Sequence, residues 1–398
     1  MSIKTNKFFT PIVETPIIFI LTVLLIILGL FIWFNRSNNL NSSKPIRIGL
    51  EAPLSGSQSN VGKGMLNGAI LAANDLNASK GILGRKVVIV PIDDAADPVI
   101  GVKAAKAAIA SGLDAVVGPY NSGVGAKTLP LYIAAGIEPM RFTSSDSTAG
   151  LGYTLQPMTS QIAPVATNAV SNWIKAKTVS IIYDSTTTYT VNAAQTMKAD
   201  FTKAGITVND FQGITPGADS YASNVSQSES SNPSLIYIVT YYPEAGLIAK
   251  EISNSGTSSK CLADFGAYDD GYVTAAGIEA AQNCPVVGVP APSDFPGSAS
   301  YISRYLSTFG VAPGTWSPYA YDSVNVISKV ATTAGNLNMN NLTSALNNLK
   351  NYKGWTGSIS FDSKTGNRLP APVVVVATDN KGKLHTDVEW IKSINFTY

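Results

Sequence analysis

The residues best placed to do chemistry lie in the stretch Gly118-Pro-Tyr-Asn-Ser-Gly-Val-Gly125, between the apolar run DAVV and the segment AKTLPLYIAAG. Glycine- and hydroxyl-rich loops between a buried strand and a helix often cradle phosphate. Two spacings mark the common phosphate loops, GxGxxG and GxxxxGK[ST], and this stretch has neither. Other chemistry is sparse. The single histidine, His385, falls in a terminal strand turn, and no G-x-S-x-G elbow accompanies it. The acidic pair Asp93–Asp94 reads as a strand-end turn ahead of a helix near Pro98. Two cysteines and one histidine cannot build a zinc site of the usual kind. These residues point away from catalysis, and neither a metal nor a cofactor is expected.

The elements that must carry the loop alternate. IRIGLEAP is followed by the helical GMLNGAILAANDLNAS, then by KVVIVPIDD, VIGVKAAKAAIAS and DAVVGP, a helix from about Ser122, and the short strand IEPMRFT. Repeated βαβ units of this kind give a parallel sheet covered on both faces. The pattern then starts again, with a helix over 162–176, VSIIYD, a helix over 190–204, ITVNDFQGI, a helix near 220–230, LIYIVTYY and the helix PEAGLIAKEISNSG. Two α/β units thus follow one another. After Cys284 come the strand VVGVPAP, helices over about 298–309, 316–334 and 340–350, and the closing strands GSISFD and PVVVVATDNKGKLHT. Ligands of open parallel sheets sit beyond the carboxyl ends of the strands. GPYNSGVG is such an end, and so are FTSSDST (142–148), YDSTTTYT (183–190), TYYPEAG (240–246) and LADFGAYDD (262–270).

Composition narrows the partners. Charged residues make up only 14% of the 398 residues, and beyond residue 36 there are 25 basic and 25 acidic residues, a net charge of zero. No basic stripe is available to displace counterions, so nucleic acid is not an expected partner. Residues 17–34, IIFILTVLLIILGLFIWF, are interrupted only by Thr22 and Gly29. As a helix this run spans roughly 27 Å at about 1.5 Å per residue, close to the thickness of a hydrocarbon core. It exceeds a signal-peptide core and ends without an A-x-A site, and Lys4 and Lys7 precede it. The expectation is a cytoplasmic segment 1–16, an uncleaved single-pass anchor 17–34, a polar tether 35–45 and a domain outside the cell. In an exported domain Cys261 and Cys284 are expected to be bridged, the alternative being two buried free thiols.

Several stretches, taken in order, resemble the periplasmic binding proteins of the Leu/Ile/Val type that feed ABC importers. They are IGLEAPLSG, GxxxxNGAxLAxxDxNxxxGILGRKVxxVxxDDAADP, VVGPYNSGVG, AAGIEPMRFTSS, TYYPEAGLIAKEI and WSPYAYDSV, and the resemblance runs from Ile46 to about His385. It implies two doubly wound α/β lobes joined by three crossings near 159–162, 285–290 and 358–363. One lobe would be 46–160 with 289–359, the other 161–288 with 360–398, and the ligand would lie in the cleft between them. The carboxylate-holding serine of that family matches Ser122. The strand-end pair that holds the ligand's polar end matches Thr143 and Ser145, and Tyr189 and Tyr241 match aromatic wall positions. Where many members place an Asp at the first crossing, Gln161 stands here and joins the expected ligand contacts.

One departure bears on the ligand. The family's acidic partner of the α-ammonium falls on Phe265, and the adjacent Asp264 would point to the other face of its strand. Burying an unpaired ammonium is costly. The resemblance nonetheless implies an aliphatic amino acid or close analogue, with the Thr143 carbonyl as the ammonium's acceptor. A short-chain acid or amide is the alternative ligand, and a receptor ectodomain the alternative role. The implied partners are ABC permease subunits, and the chain is expected to be a monomer.

Overall fold

The structure is a computed structural model that describes residues 44–394. The expected anchor at 17–34 lies outside the described residues, and among the described residues no helix is long and apolar enough to cross a membrane. Residues 46–398 form one unit, and it carries both main sheets.

The first sheet contains β1 (Ile46–Ala52), β2 (Val87–Asp93), β3 (Ala115–Val117), β4 (Pro139–Arg141) and β5 (Tyr153–Thr154) in the order β2-β1-β3-β4-β5. All of its pairings are parallel. Helices α1 (Ser59–Ala78), α2 (Pro98–Ala110) and α3 (Ser122–Ala134) connect the first four strands. Central β3 is buried throughout, whereas edge strand β2 exposes Val88 and Pro91, the pattern that position in a two-faced sheet dictates. Ile92, Ala105, Val116 and Tyr132 fill one side of the sheet, and Ile48, Leu50, Val117 and Met65 belong to the larger core on the other. Helix α2 starts where Asp97 accepts from the N–H groups of Val99 and Ile100, with Pro98 at its first position.

After β5 the chain continues through α4 (Thr159–Asn168) into the second sheet. There β6 (Thr178–Asp184), β7 (Thr207–Ile214), β8 (Leu235–Val239), β9 (Lys260–Ala263) and β10 (Val286–Gly288) repeat the same parallel pattern, now in the order β10-β9-β8-β6-β7. Three helices join the first four of these strands: α5 (Thr188–Lys203), α6 (Ala222–Ser230) and α7 (Tyr242–Ser255). Strand β8, LIYIV, is buried at every position, as its unbroken apolar run requires.

Beyond β10 the chain returns to the first half. A long helix, Ser317–Ala334, packs on α1 where Gly68 leaves no room for a side chain: a Cβ there would sit 2.1 Å from the Ser317 carbonyl oxygen. The short hairpin 352–359 follows, and the chain then crosses once more to add the antiparallel strands Val374–Thr378 and Leu384–Thr386 to the second sheet. Cys261 and Cys284 are joined by a disulfide that ties β9 to the segment leading into β10.

Candidate functional site

Both sheets have a topological switch point. In the first, β1 lies between β2 and β3, so connections leave β1 and β3 toward opposite faces and open a crevice at their carboxyl ends. In the second, β6 lies between β7 and β8 in the same way. The residues at these ends converge. Tyr120 and Ser122 follow β3, Tyr189 begins α5 after β6, Tyr241 follows β8, and Phe265 and Gly266 follow β9. With Ser144 and Gln156 they line one cavity of about 10 Å³, the room of about one water. A larger hollow of about 380 Å³ lies beside the disulfide, around Lys260 at the amino end of β9, away from either switch point.

The first-sheet side of the cavity is polar. Helix α3 opens at Ser122, and the Asn121 side chain preceding it does not cap it but donates to Gln58 Oε1 at 2.9 Å. The first N–H groups of α3 therefore face the crevice without a side-chain acceptor, the arrangement that binds anions at helix N-termini. Ser122 Oγ accepts the Ser145 N–H at 3.1 Å, so its own proton remains to be donated. Ser144 Oγ and Gln156 Oε1 are buried and unpartnered. The loop can bend this tightly because Gly118 takes φ +101° and a Cβ there would lie 1.9 Å from the Glu51 carbonyl oxygen.

The second-sheet side is aromatic. Ring centroids of Tyr189 and Tyr241 are 5.9 Å apart, and Tyr241 meets Tyr120 at 6.4 Å. Trp316, from the first half, contacts both Tyr120 at 6.2 Å and Phe265 at 5.5 Å. The Tyr189 hydroxyl donates to Asp264 Oδ2 at 2.9 Å and the Tyr237 hydroxyl to Asp264 Oδ1 at 2.5 Å, so this buried carboxylate stands behind the aromatic wall. Two further bonds link the halves: Tyr242 donates to the Ser57 carbonyl at 2.8 Å, and Asn192 Nδ2 donates to Ser145 Oγ at 3.0 Å.

The family profile described as "Periplasmic binding protein" matches residues 45–383. The chain belongs to the periplasmic binding protein family. It is of type I, the Leu/Ile/Val-binding branch of these solute-binding proteins. The "Leu/Ile/Val-binding protein homolog 1" of Brucella suis is 24% identical over 263 residues, covering 65% of this chain and 70% of that one. The fold matches the branched-chain amino acid transporter substrate-binding protein LivJ of Streptococcus pneumoniae, solved with isoleucine, with a TM-score of 0.77 at 23% identity over 86% of this chain and 98% of that one. It also matches an ABC transporter solute-binding protein of Rhodopseudomonas palustris, solved with 3,4-dihydroxybenzoic acid, with a TM-score of 0.75 at 18% identity over 86% of this chain and 95% of that one.

Of the residues the sequence singled out, Ser122, Tyr189, Tyr241 and Phe265 line this binding protein's cavity and Thr143, Ser145 and Gln161 do not. Thr143 Oγ1 bonds Thr148 Oγ1 at 2.7 Å, and Ser145 Oγ bonds Ser147 and Asn192. Ser144, between them, is the residue that reaches the cavity, because alternate side chains of an extended segment point to opposite sides. Gln161 Oε1 accepts the Met158 N–H at 3.0 Å and its Nε2 donates to the Arg368 carbonyl at 2.9 Å, so it fastens two crossing segments instead. Tyr120, Ser144, Gln156 and Gly266 also line the cavity; the first two and Gly266 lie inside the strand-end stretches 118–125, 142–148 and 262–270, and Gln156 lies outside all of them. His385 sits on the edge strand with Nδ1 3.0 Å from the Thr386 carbonyl oxygen. Among the described residues no group of three or more His, Cys, Asp and Glu side chains could hold a metal.

Beneath the 118–125 loop lie two buried acids, Glu51 and Asp94, neighboured by Thr128 and Tyr132 of α3. Asp94 Oδ1 accepts the Ala96 N–H at 2.9 Å, but its Oδ2 and both Glu51 oxygens lack partners. Burial raises both carboxyls, Asp94 to about 7. In the unfolded chain Asp94 titrates near the ordinary carboxylate value, so folding binds a proton here. The stability it contributes is complete below about pH 4 and is lost as pH rises through about 7, by a few kcal/mol. Asp94→Asn keeps the acceptor for Ala96 and removes the titration. Urea unfolding between pH 4.5 and 8 is expected to show the variant gaining on the parent as pH rises; a stability difference that does not change with pH contradicts this.

Proposed function

We propose that the chain is a membrane-tethered extracellular solute-binding protein that delivers a small carboxylate ligand, an aliphatic amino acid or a close analogue, to the permease subunits of an ABC importer. The lobes are taken as 46–160 with 289–359 and 161–288 with 360–398. One observation carries the reading: a helix N-terminus with a serine whose proton is uncommitted faces an aromatic wall from the other half across a single small cavity. That pairing suits a ligand with an anionic end and an apolar body. The isoleucine bound by the S. pneumoniae protein and the dihydroxybenzoic acid bound by the R. palustris protein both carry a carboxylate, which supports the anionic end. A cavity of about 10 Å³ cannot hold such a body, so the lobes must part to admit it.

The tether rests on the apolar run 17–34 with no cleavage site. Mass spectrometry of the native protein is expected to find residues 1–34 retained, and a mature N-terminus near Asn35 would contradict the anchor. The site is tested by Ser122→Ala. A lost hydrogen bond to a charged group costs roughly 1.5–3 kcal/mol, or about tenfold or more in affinity. A calorimetric titration with the tightest binder from a panel of amino acids, short-chain acids and amides should show that loss with the melting temperature unchanged. Full affinity in the variant would place the carboxylate elsewhere.

A further inference from the structure

We infer that the ligand carries no ammonium: the site is built for a monocarboxylate with an apolar body. The inference rests on the carboxylate reading of the same cavity and narrows it, from an amino acid or close analogue to the analogues without an ammonium. An ammonium brings three donors and a full charge, and burying it without acceptors is costly. The cavity is lined by Tyr120, Ser122, Ser144, Gln156, Tyr189, Tyr241, Phe265 and Gly266, and none of these is a carboxylate. The adjacent acid, Asp264, is fully buried, and its two oxygens are taken by the Tyr189 and Tyr237 hydroxyls. Three other acids act on the wall tyrosines, Asp269 on Tyr120 and Asp184 and Asp94 on Tyr241, and each turns an oxygen to a backbone N–H: Asp269 Oδ1 to Gly271, Asp184 Oδ1 to Thr186 and Asp94 Oδ1 to Ala96. The Ser144 carbonyl already accepts from the Thr159 N–H at 2.7 Å and the Thr159 hydroxyl at 3.0 Å. The uncommitted amide oxygen on the wall, Gln156 Oε1, is neutral and cannot balance a charge.

The Thr143 carbonyl, which the resemblance offers as the ammonium's acceptor, already accepts one hydrogen bond from a cation, the guanidinium of Arg141, at 3.2 Å. Arg141 is fully buried, and among the described residues no carboxylate forms a salt bridge with it. Its other terminal donors go to Met158 Sδ, the Thr365 carbonyl and Asn367 Oδ1, all uncharged, and its Nε has no partner. The nearest influence of opposite sign is Asp146, whose oxygens are bonded to Ser160. A buried cation thus stands against the carbonyl of Thr143, next in sequence to Ser144, and α3 brings the positive end of its dipole to Ser122 of the same cavity. Both favour an anion, and both oppose a second cation in a low-dielectric cleft. A zwitterion would lose at its ammonium what it gains at its carboxylate.

The test is calorimetry on the full-length chain with three compounds of related skeleton: leucine, 4-methylpentanoate, which is leucine without its amino group, and 3-methylbutylamine, which keeps the amine and lacks the carboxylate. The expected result is 4-methylpentanoate bound at least tenfold more tightly than leucine, and no heat with the amine. In Phe265→Asp, which places a carboxylate on the wall, the preference should move toward leucine by tenfold or more. Leucine bound as tightly as 4-methylpentanoate, or more tightly, by the parent chain overturns the inference and leaves the carboxylate site standing. Binding of none of the three overturns both. The parent comparison decides the matter even if Phe265→Asp fails to fold.

Discussion

A single buried guanidinium holds together the parts of this molecule that binding requires. Arg141 ends the short strand β4, and its four hydrogen bonds reach the Thr143 carbonyl two residues on, Met158 just ahead of α4, and Thr365 and Asn367 in the segment between the 352–359 hairpin and Val374–Thr378. Burial pulls it down to about 9, so it remains charged at neutral pH. Removing any partner would leave a buried charged donor unpaired, which costs more than an ordinary hydrogen bond contributes. The crossing strands are therefore fixed to the first sheet at the point where the polar end of the ligand would sit. Arg368 does similar work nearby, donating to the Thr356 carbonyl at 2.5 Å and the Ser358 carbonyl at 2.9 Å, while Asp322 accepts from Trp355, Thr356 and the Thr356 hydroxyl.

From that anchor the two walls follow. The first is polar because a parallel sheet directs helix N-termini and strand-end carbonyls to its switch point. The second is aromatic, and Asp264 fixes the orientation of Tyr189 through its hydroxyl so that the ring, not the acid, faces the cavity. The contacts that join the walls include two hydrogen bonds, Tyr242 to Ser57 and Asn192 to Ser145, and the Tyr120–Tyr241 and Phe265–Trp316 ring pairs. Apolar contacts and two hydrogen bonds are the kind of interface that can open and close at modest cost.

Much of the architecture is legible in the sequence because strand and helix periods differ and both halves repeat βαβ with short connections. The apolar run LIYIV and the strand-end stretches around 118–125, 183–190, 240–246 and 262–270 point to the elements and the crevice before any coordinates are seen. Side-chain direction is not legible in the same way. A slip of one residue in an irregular strand end exchanges Ser144 for Thr143 and Ser145, and nothing in composition reveals which points inward. Gln161 has a residue type suited to a ligand, yet its amide is consumed by two backbone groups that only the tertiary fold brings near. Arg141 gives no signal either, since a lone arginine after a short strand reads as a surface residue. Trp316 comes from nearly two hundred residues beyond Tyr120, so its place in the wall is a long-range fact.

The proposed function requires the two halves to move apart and close on a ligand between them. Spin labels on Lys127→Cys in α3 and Lys198→Cys in α5, both exposed and on opposite halves, report that distance directly by pulsed dipolar spectroscopy, with Cys261 and Cys284 already bonded to each other. The expected result is a broad or long distribution that contracts to one narrow, shorter distance when a saturating carboxylate ligand is added. A single distribution that the tightest-binding ligand leaves unchanged would contradict closure over the ligand and, with it, the central claim.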